Sequence, residues 1–140
     1  MIILDTSGLL SAIDASQRHH RAAAAALRQA EAPRLLSLLI VAELDYLLAT
    51  RVSRPAEQAL LGQVADGVYQ IESFDAGDIA RANEVLDQYA DLDLGLADAS
   101  LIVVSERHNV LDLLTLDERR FRAVRGAGGK PFRVLPADLP

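Results

Sequence analysis

Four carboxylates set into apolar sequence restrict this chain more than any other feature. Asp5 ends the run Met1-Ile2-Ile3-Leu4, and Asp117 follows Leu113-Leu114-Thr115-Leu116. Glu43 lies within Leu38-Leu39-Ile40-Val41-Ala42-Glu43-Leu44, and Asp98 within Leu94-Gly95-Leu96-Ala97-Asp98-Ala99-Ser100-Leu101. A carboxylate carried into an apolar environment is costly unless it meets a compensating charge or donors. The 14 Lys and Arg residues fall mostly elsewhere in the sequence. A fold that gathers the four acids around one hard cation satisfies all of them at once.

The surrounding pattern says what kind of fold can do this. Ile2 to Asp5 reads as a short buried strand, with Thr6 or Ser7 capping a helix to about Asp14. His20 to Ala32 reads as a helix stopped by Pro33, and Leu35 to Ser37 as a strand. From Leu39 to Thr50, the apolar positions Ile40, Val41, Leu44, Leu47 and Leu48 recur at helical spacing. Ser53-Arg54-Pro55 opens a helix to about Asp66, and Val68 to Glu72 alternates like a strand. Helices from Asp75 to Tyr89 and from Leu96 to His108 precede strand-like Val110 to Thr115. Gly126 to Gly129 reads as a flexible loop, and Arg133 to Leu135 as a last, weak strand. Strands alternating with helices predict a three-layer α/β fold with a short, mostly parallel central sheet flanked by helices. Such sheets bind ligands outside the carboxyl ends of their strands, where Asp5 and Asp117 are expected.

The length of 140 residues predicts a single domain spanning 1–140, and 51% hydrophobic residues suffice for its core. No apolar run approaches the ~18 residues of a membrane span. The opening Met1-Ile2-Ile3-Leu4-Asp5 lacks a basic region and cleavage site, so no signal peptide is expected. The absence of Cys excludes thiolate metal sites and disulfides and fits a cytoplasmic setting. The net charge of −6 is unevenly spread: residues 1–118 carry 8 basic and 19 acidic residues, residues 119–140 six basic and one acidic. An acidic body with a basic end suits a metal site acting on a polyanion, and equally a solvated tail. Aromatics at 4% exclude base stacking as the general grip on a nucleic acid, and Tyr46 and Phe121 are expected in the core. His108 is expected to answer a helix dipole.

Four blocks then combine: Ile3-Leu4-Asp5-Thr6-Ser7-Gly8-Leu9-Leu10, Val41-Ala42-Glu43-Leu44, Gly95-Leu96-Ala97-Asp98-Ala99-Ser100-Leu101 and Leu114-Thr115-Leu116-Asp117-Glu118-Arg119-Arg120-Phe121. In this order and spacing the chain resembles the PIN domains, and more narrowly the VapC-type toxin ribonucleases. The resemblance implies an endoribonuclease whose catalytic and metal-binding acids are Asp5, Glu43, Asp98 and Asp117, with Glu118 as the neighbouring alternative for the last. It implies an auxiliary hydroxyl from Thr6 or Ser7. It implies Mg²⁺ or Mn²⁺ as cofactor, RNA as substrate, a VapB-type antitoxin as partner, and a homodimer. Arg119, Arg120 and Arg122 are the candidates for RNA phosphate contact.

Three other classes share parts of this pattern. A phosphoacceptor receiver domain has similar length, and Lys130-Pro131-Phe132 fits its lysine-proline step. That class needs an acidic pair after the first strand and a strand-end Asp near Thr50, and this sequence has neither. An aspartate-nucleophile phosphatase needs an acid where Ser7 stands. A catalytically silent PIN domain acting as a binding module would have no need of the four intact acids.

Overall fold

The structure, a computed structural model, describes residues 1–140. Five short strands form one sheet: β1 (Ile2–Leu4), β2 (Arg34–Ser37), β3 (Gln70–Glu72), β4 (Asp112–Leu114) and β5 (Arg133–Leu135). Their order is β3-β2-β1-β4-β5 and every pairing is parallel. The expectation of a mostly parallel sheet thus becomes an all-parallel one. A receiver-type sheet of the flavodoxin kind has order 2-1-3-4-5, so the signalling alternative does not describe this chain.

Seven helices cover the sheet: α1 (Thr6–Ile13), α2 (His20–Gln29), α3 (Leu38–Leu47), α4 (Arg54–Ala65), α5 (Ala76–Gln88), α6 (Leu96–His108) and α7 (Glu118–Ala123). The chain steps from β1 outward to β2 and β3, then returns past β1 to β4 and β5. Right-handed crossovers place α1 to α4 on one face and α5 to α7 on the other. The direction of winding reverses between β1 and β4, which makes their carboxyl ends the switch point where such sheets open a crevice.

The core follows from burial on both sheet faces. Ile2, Ile3, Leu4, Leu35, Leu36, Leu113, Leu114 and Val134 are fully buried, which is why these strands read as continuous apolar runs. Helix α6 crosses β1 and β2 and buries Ala99, Leu101, Ile102, Val103 and Val104. Phe121 of α7 packs edge-on against Phe132, with ring centroids 6.3 Å apart. Gly8 lets α1 lie close on β4: a Cβ there would stand 2.3 Å from the Leu114 carbonyl oxygen.

Several local expectations change. The residue capping α1 is Asp5 itself, whose carboxylate accepts the Thr6 N–H, so neither Thr6 nor Ser7 is the cap. Helix α3 ends at Leu47 and continues as a π-helical turn over Leu48–Val52. Tyr46 is 67% exposed, because Ile40, Val41, Leu44 and Leu48 take the buried side of this segment. The Gly126–Gly129 segment is an ordered turn in which Gly126 and Ala127 are buried and Gly126 N–H donates to the Lys130 carbonyl. His108 meets a side chain: its Nε2 contacts the Glu72 carboxylate.

Candidate metal and catalytic site

Asp5 lies at the carboxyl end of β1 and continues the ladder through its N–H to the Leu114 carbonyl, at 3.0 Å. It is 5% exposed. Its Oδ1 accepts the Thr6 N–H at 2.8 Å, and its Oδ2 accepts the Thr115 hydroxyl at 2.6 Å and the Ser7 hydroxyl at 3.2 Å. No Lys, Arg or His pairs with it. Burial pushes its carboxyl up to about 6; the hydrogen bonds from Thr115, Thr6 and Ser7 oppose that rise, and the nearby charge of Asp98 adds to it.

Glu72 shows how the same fold treats a buried acid that serves structure. It too is 5% exposed. Burial pushes it upward, but hydrogen bonds from His108, Gln70 and Arg107 outweigh that and hold it below the ordinary carboxylate range. Arg107 continues to Asp78 at 2.9 Å and lies over the Phe74 ring. The buried acid away from the switch point has a cationic partner in Arg107, and the one at the switch point has none.

Asp98 is the third residue of α6 and accepts the Gly95 N–H at 2.9 Å. Its position is fixed from below by a buried hydroxyl pair: Ser100 Oγ donates to the Ala97 carbonyl at 2.6 Å and lies 2.8 Å from Ser37 Oγ, which in turn accepts the Leu39 N–H. This pair ties the first turn of α6 to the first turn of α3. Asp117 caps α7, accepting the Arg120 N–H at 3.2 Å, and its second oxygen lies 3.4 Å from the Arg120 guanidinium. The Asp117 N–H donates to Thr115 Oγ1 at 3.0 Å, which links this acid to Asp5 through one side chain. Glu43 stands apart, exposed on α3 with no ion pair.

Asp5 and Asp117 are therefore joined at the switch point through Thr115, Asp98 is near enough for its charge to act on Asp5, and Glu43 is not brought into contact with them. As placed, no three His, Asp or Glu side chains enclose a point where a metal ion could sit. Asp5 and Asp117 each cap a helix, Asp98 holds the first turn of α6, and Asp117 also meets Arg120, whereas Glu43 has no such support. The donor set is nonetheless that of a hard divalent ion: carboxylates and hydroxyls, without sulfur. The Thr6 hydroxyl is the single buried side-chain polar atom without a hydrogen-bond partner, and it belongs to the residue after Asp5.

The candidate arginines divide. Arg120 is taken by Asp117 and the Leu92 carbonyl. Arg122 is taken by Glu118 and Asp138, each at 2.8 Å. Arg119 is exposed and pairs with no acid. Thr115 was legible only as part of its block; a hydroxyl residue two positions before a strand-end acid is the one signal that could have singled it out.

A family model described as PIN domain matches residues 2–127. The chain belongs to the PIN-domain family, and within it to the VapC-type ribonucleases. It is 38% identical over 135 residues to Ribonuclease VapC26 of Mycobacterium tuberculosis (strain ATCC 25618 / H37Rv), covering 96% of this chain and all of that one. Among solved structures it resembles VapC20 of Mycobacterium tuberculosis, a sarcin-ricin loop cleaving toxin, with TM-score 0.78 and 20% identity over 84% of this chain and 90% of that one. It also resembles a chain of the DNA-bound VapBC of Salmonella typhimurium, with TM-score 0.67 and 15% identity over 95% of this chain and 96% of that one. No helix is long and apolar enough to cross a membrane.

Proposed function

We propose that this protein is a divalent-metal-dependent endoribonuclease toxin held in check by a VapB-type antitoxin. The observation that carries the reading is Asp5: a buried carboxylate at the switch point, raised to about 6, beside Asp98 and linked to Asp117, with no cationic side chain to answer it. Its kinship to Ribonuclease VapC26 supplies the reaction class.

Asp5, Asp98 and Asp117 are the residues that would hold Mg²⁺ or Mn²⁺, with Glu43 binding the ion or orienting the attacking water. When bound, such an ion offsets charge on the scissile phosphate and makes water a better nucleophile. The Thr6 hydroxyl, free of any internal partner, is available to a phosphate oxygen or to water. Ser7 is committed to Asp5 and to the Leu116 N–H, and so orients. Arg119 offers a phosphate contact at the basic edge. An antitoxin that places a cationic side chain among these acids would compete for the same charge, and two copies of the chain would form the homodimer common in this class.

The test uses purified protein free of antitoxin. RNA should be cut with Mg²⁺ or Mn²⁺, not in EDTA, and not by Asp98→Asn, which keeps the shape and loses the charge. Full cleavage in EDTA would end the metal-dependent reading.

A further inference from the structure

Thr115 is the one uncharged side chain bonded to both Asp5 and Asp117. It is 1% exposed, at the end of β4. Its Oγ1 lies 2.6 Å from Asp5 Oδ2, 3.0 Å from the Asp117 nitrogen and 3.3 Å from Ser7 Oγ. A threonine hydroxyl has one proton and two lone pairs. The Asp117 amide can only donate, so it takes a lone pair. An ionised Asp5 can only accept, so it takes the proton. Ser7 obeys the same logic: Leu116 N–H donates to it at 3.0 Å, and its own proton goes to Asp5 Oδ2 at 3.2 Å, the charged oxygen being the stronger of the two acceptors within its reach. The donors run in one direction, from the backbone of the β4–α7 turn through two hydroxyls into one carboxylate oxygen.

An ionised carboxylate offers about four lone-pair sites. Thr115 and Ser7 take those of Oδ2, and Thr6 N–H takes one of Oδ1. The acceptor capacity left to Asp5 is on Oδ1. We propose that Thr115 is a positioning residue of the metal site: its hydroxyl clasps Asp5 Oδ2 and the Asp117 backbone in a single register, leaving Oδ1 as the edge of Asp5 that meets the cation. This inference rests on the ribonuclease reading above. It assigns Thr115 to the alignment of two ligands that come from different strands, and not to contact with RNA.

A purely structural role would be the filling of space between β1 and β4, and the two roles separate experimentally. Thr115→Val keeps the shape, removes the donor and leaves the Asp117 N–H without its acceptor. Thr115→Ser keeps the hydroxyl and drops the methyl. The full chain and both variants are melted across a Mn²⁺ titration, and their kcat and KM on RNA are measured. Thr115→Val should need about 10- to 100-fold more Mn²⁺ for half of the thermal stabilisation, the range seen when residues behind metal ligands are lost. Its kcat should fall at fixed Mn²⁺ while KM for RNA holds, and Thr115→Ser should stay close to the original chain on both readouts. A Thr115→Val protein with a lower metal-free melting point but an unchanged Mn²⁺ midpoint would overturn the proposal. Should Thr115→Val not fold, Thr115→Ala removes the same hydroxyl without a branched side chain, and an unchanged Mn²⁺ midpoint there is equally fatal. An original chain that neither cuts RNA nor gains stability from Mn²⁺ overturns the ribonuclease reading along with this inference; normal behaviour of the original chain with an indifferent Thr115→Val overturns this inference alone.

Discussion

Asp5→Asn should make the metal-free protein more stable, and by an amount that depends on pH. The Asp5 carboxyl is raised from 3.8 to about 6 by burial, with Asp98 adding to the effect. A carboxyl whose folded pKa lies above its unfolded value binds protons more readily when folded. Its contribution to stability is therefore neutral below about 3.8, becomes unfavourable as pH rises, and is fully unfavourable above about 6. At 1.36 kcal/mol per pK unit, the full penalty is about 3 kcal/mol, of which about 2 develops between about pH 4.5 and pH 7.5. Asparagine cannot ionise and carries none of it. The amide disturbs the hydroxyls of Thr115 and Ser7, but that cost is the same at both pH values and cancels in the comparison. The assay is urea unfolding of both proteins in EDTA at the two pH values. The stability of Asp5→Asn relative to the original chain should rise by about 2 kcal/mol from the lower to the higher pH, equivalent to a relative melting shift of roughly 4–10 °C for a chain of this size. A difference that stays constant across this window would refute the claim that Asp5 is a buried charge without a cation, and with it the reason for placing a metal there.

Two further outcomes follow from particular contacts. Arg119→Ala should lower the salt dependence of RNA binding by about one counterion, whereas Arg120→Ala and Arg122→Ala should chiefly lose stability, because their guanidinium groups are already spent on Asp117, Glu118 and Asp138; filter binding across a salt series checks this, and an unchanged slope for Arg119→Ala assigns that residue elsewhere. Gly8→Ala should destabilise the fold by about 3 kcal/mol or more, since its Cβ would meet the Leu114 carbonyl oxygen at 2.3 Å and backbone must move; an unaltered urea midpoint would show that α1 does not lie so close on β4.

The strands and long helices were legible because a parallel sheet buried on both faces leaves unbroken apolar runs such as Ile2-Ile3-Leu4 and Leu113-Leu114, and because α6 keeps apolar residues on all sides. The placing of Asp5 at a strand end needed nothing more. Helix α7 was not legible: six residues with one buried side chain, Phe121, carry no periodicity to read. Tyr46 reads as core because its surroundings in sequence are apolar, while its angle on α3 turns it outward. The pairing of Arg122 with Asp138 joins residues sixteen apart across a turn, which charge counting along the chain cannot reveal. The partners of Asp5 were hidden for the same reason: Thr115 lies 110 positions away and becomes a neighbour only through the pairing of β1 with β4.

Asp5 and Asp117 each close the start of a helix as well as facing the site, and Asp98 holds the first turn of a third. Asn and Ser fill such helix-start positions about as well as Asp does. On the ribonuclease reading proposed above, one substitution at Asp5 or Asp117 would extinguish catalysis while the helix beneath it stays anchored. Descendants of this architecture stand one step from folded, inactive forms, and a lineage released from selection for cutting RNA would keep its shape long after it had lost its chemistry. The scaffold alone does not require three carboxylates at these positions.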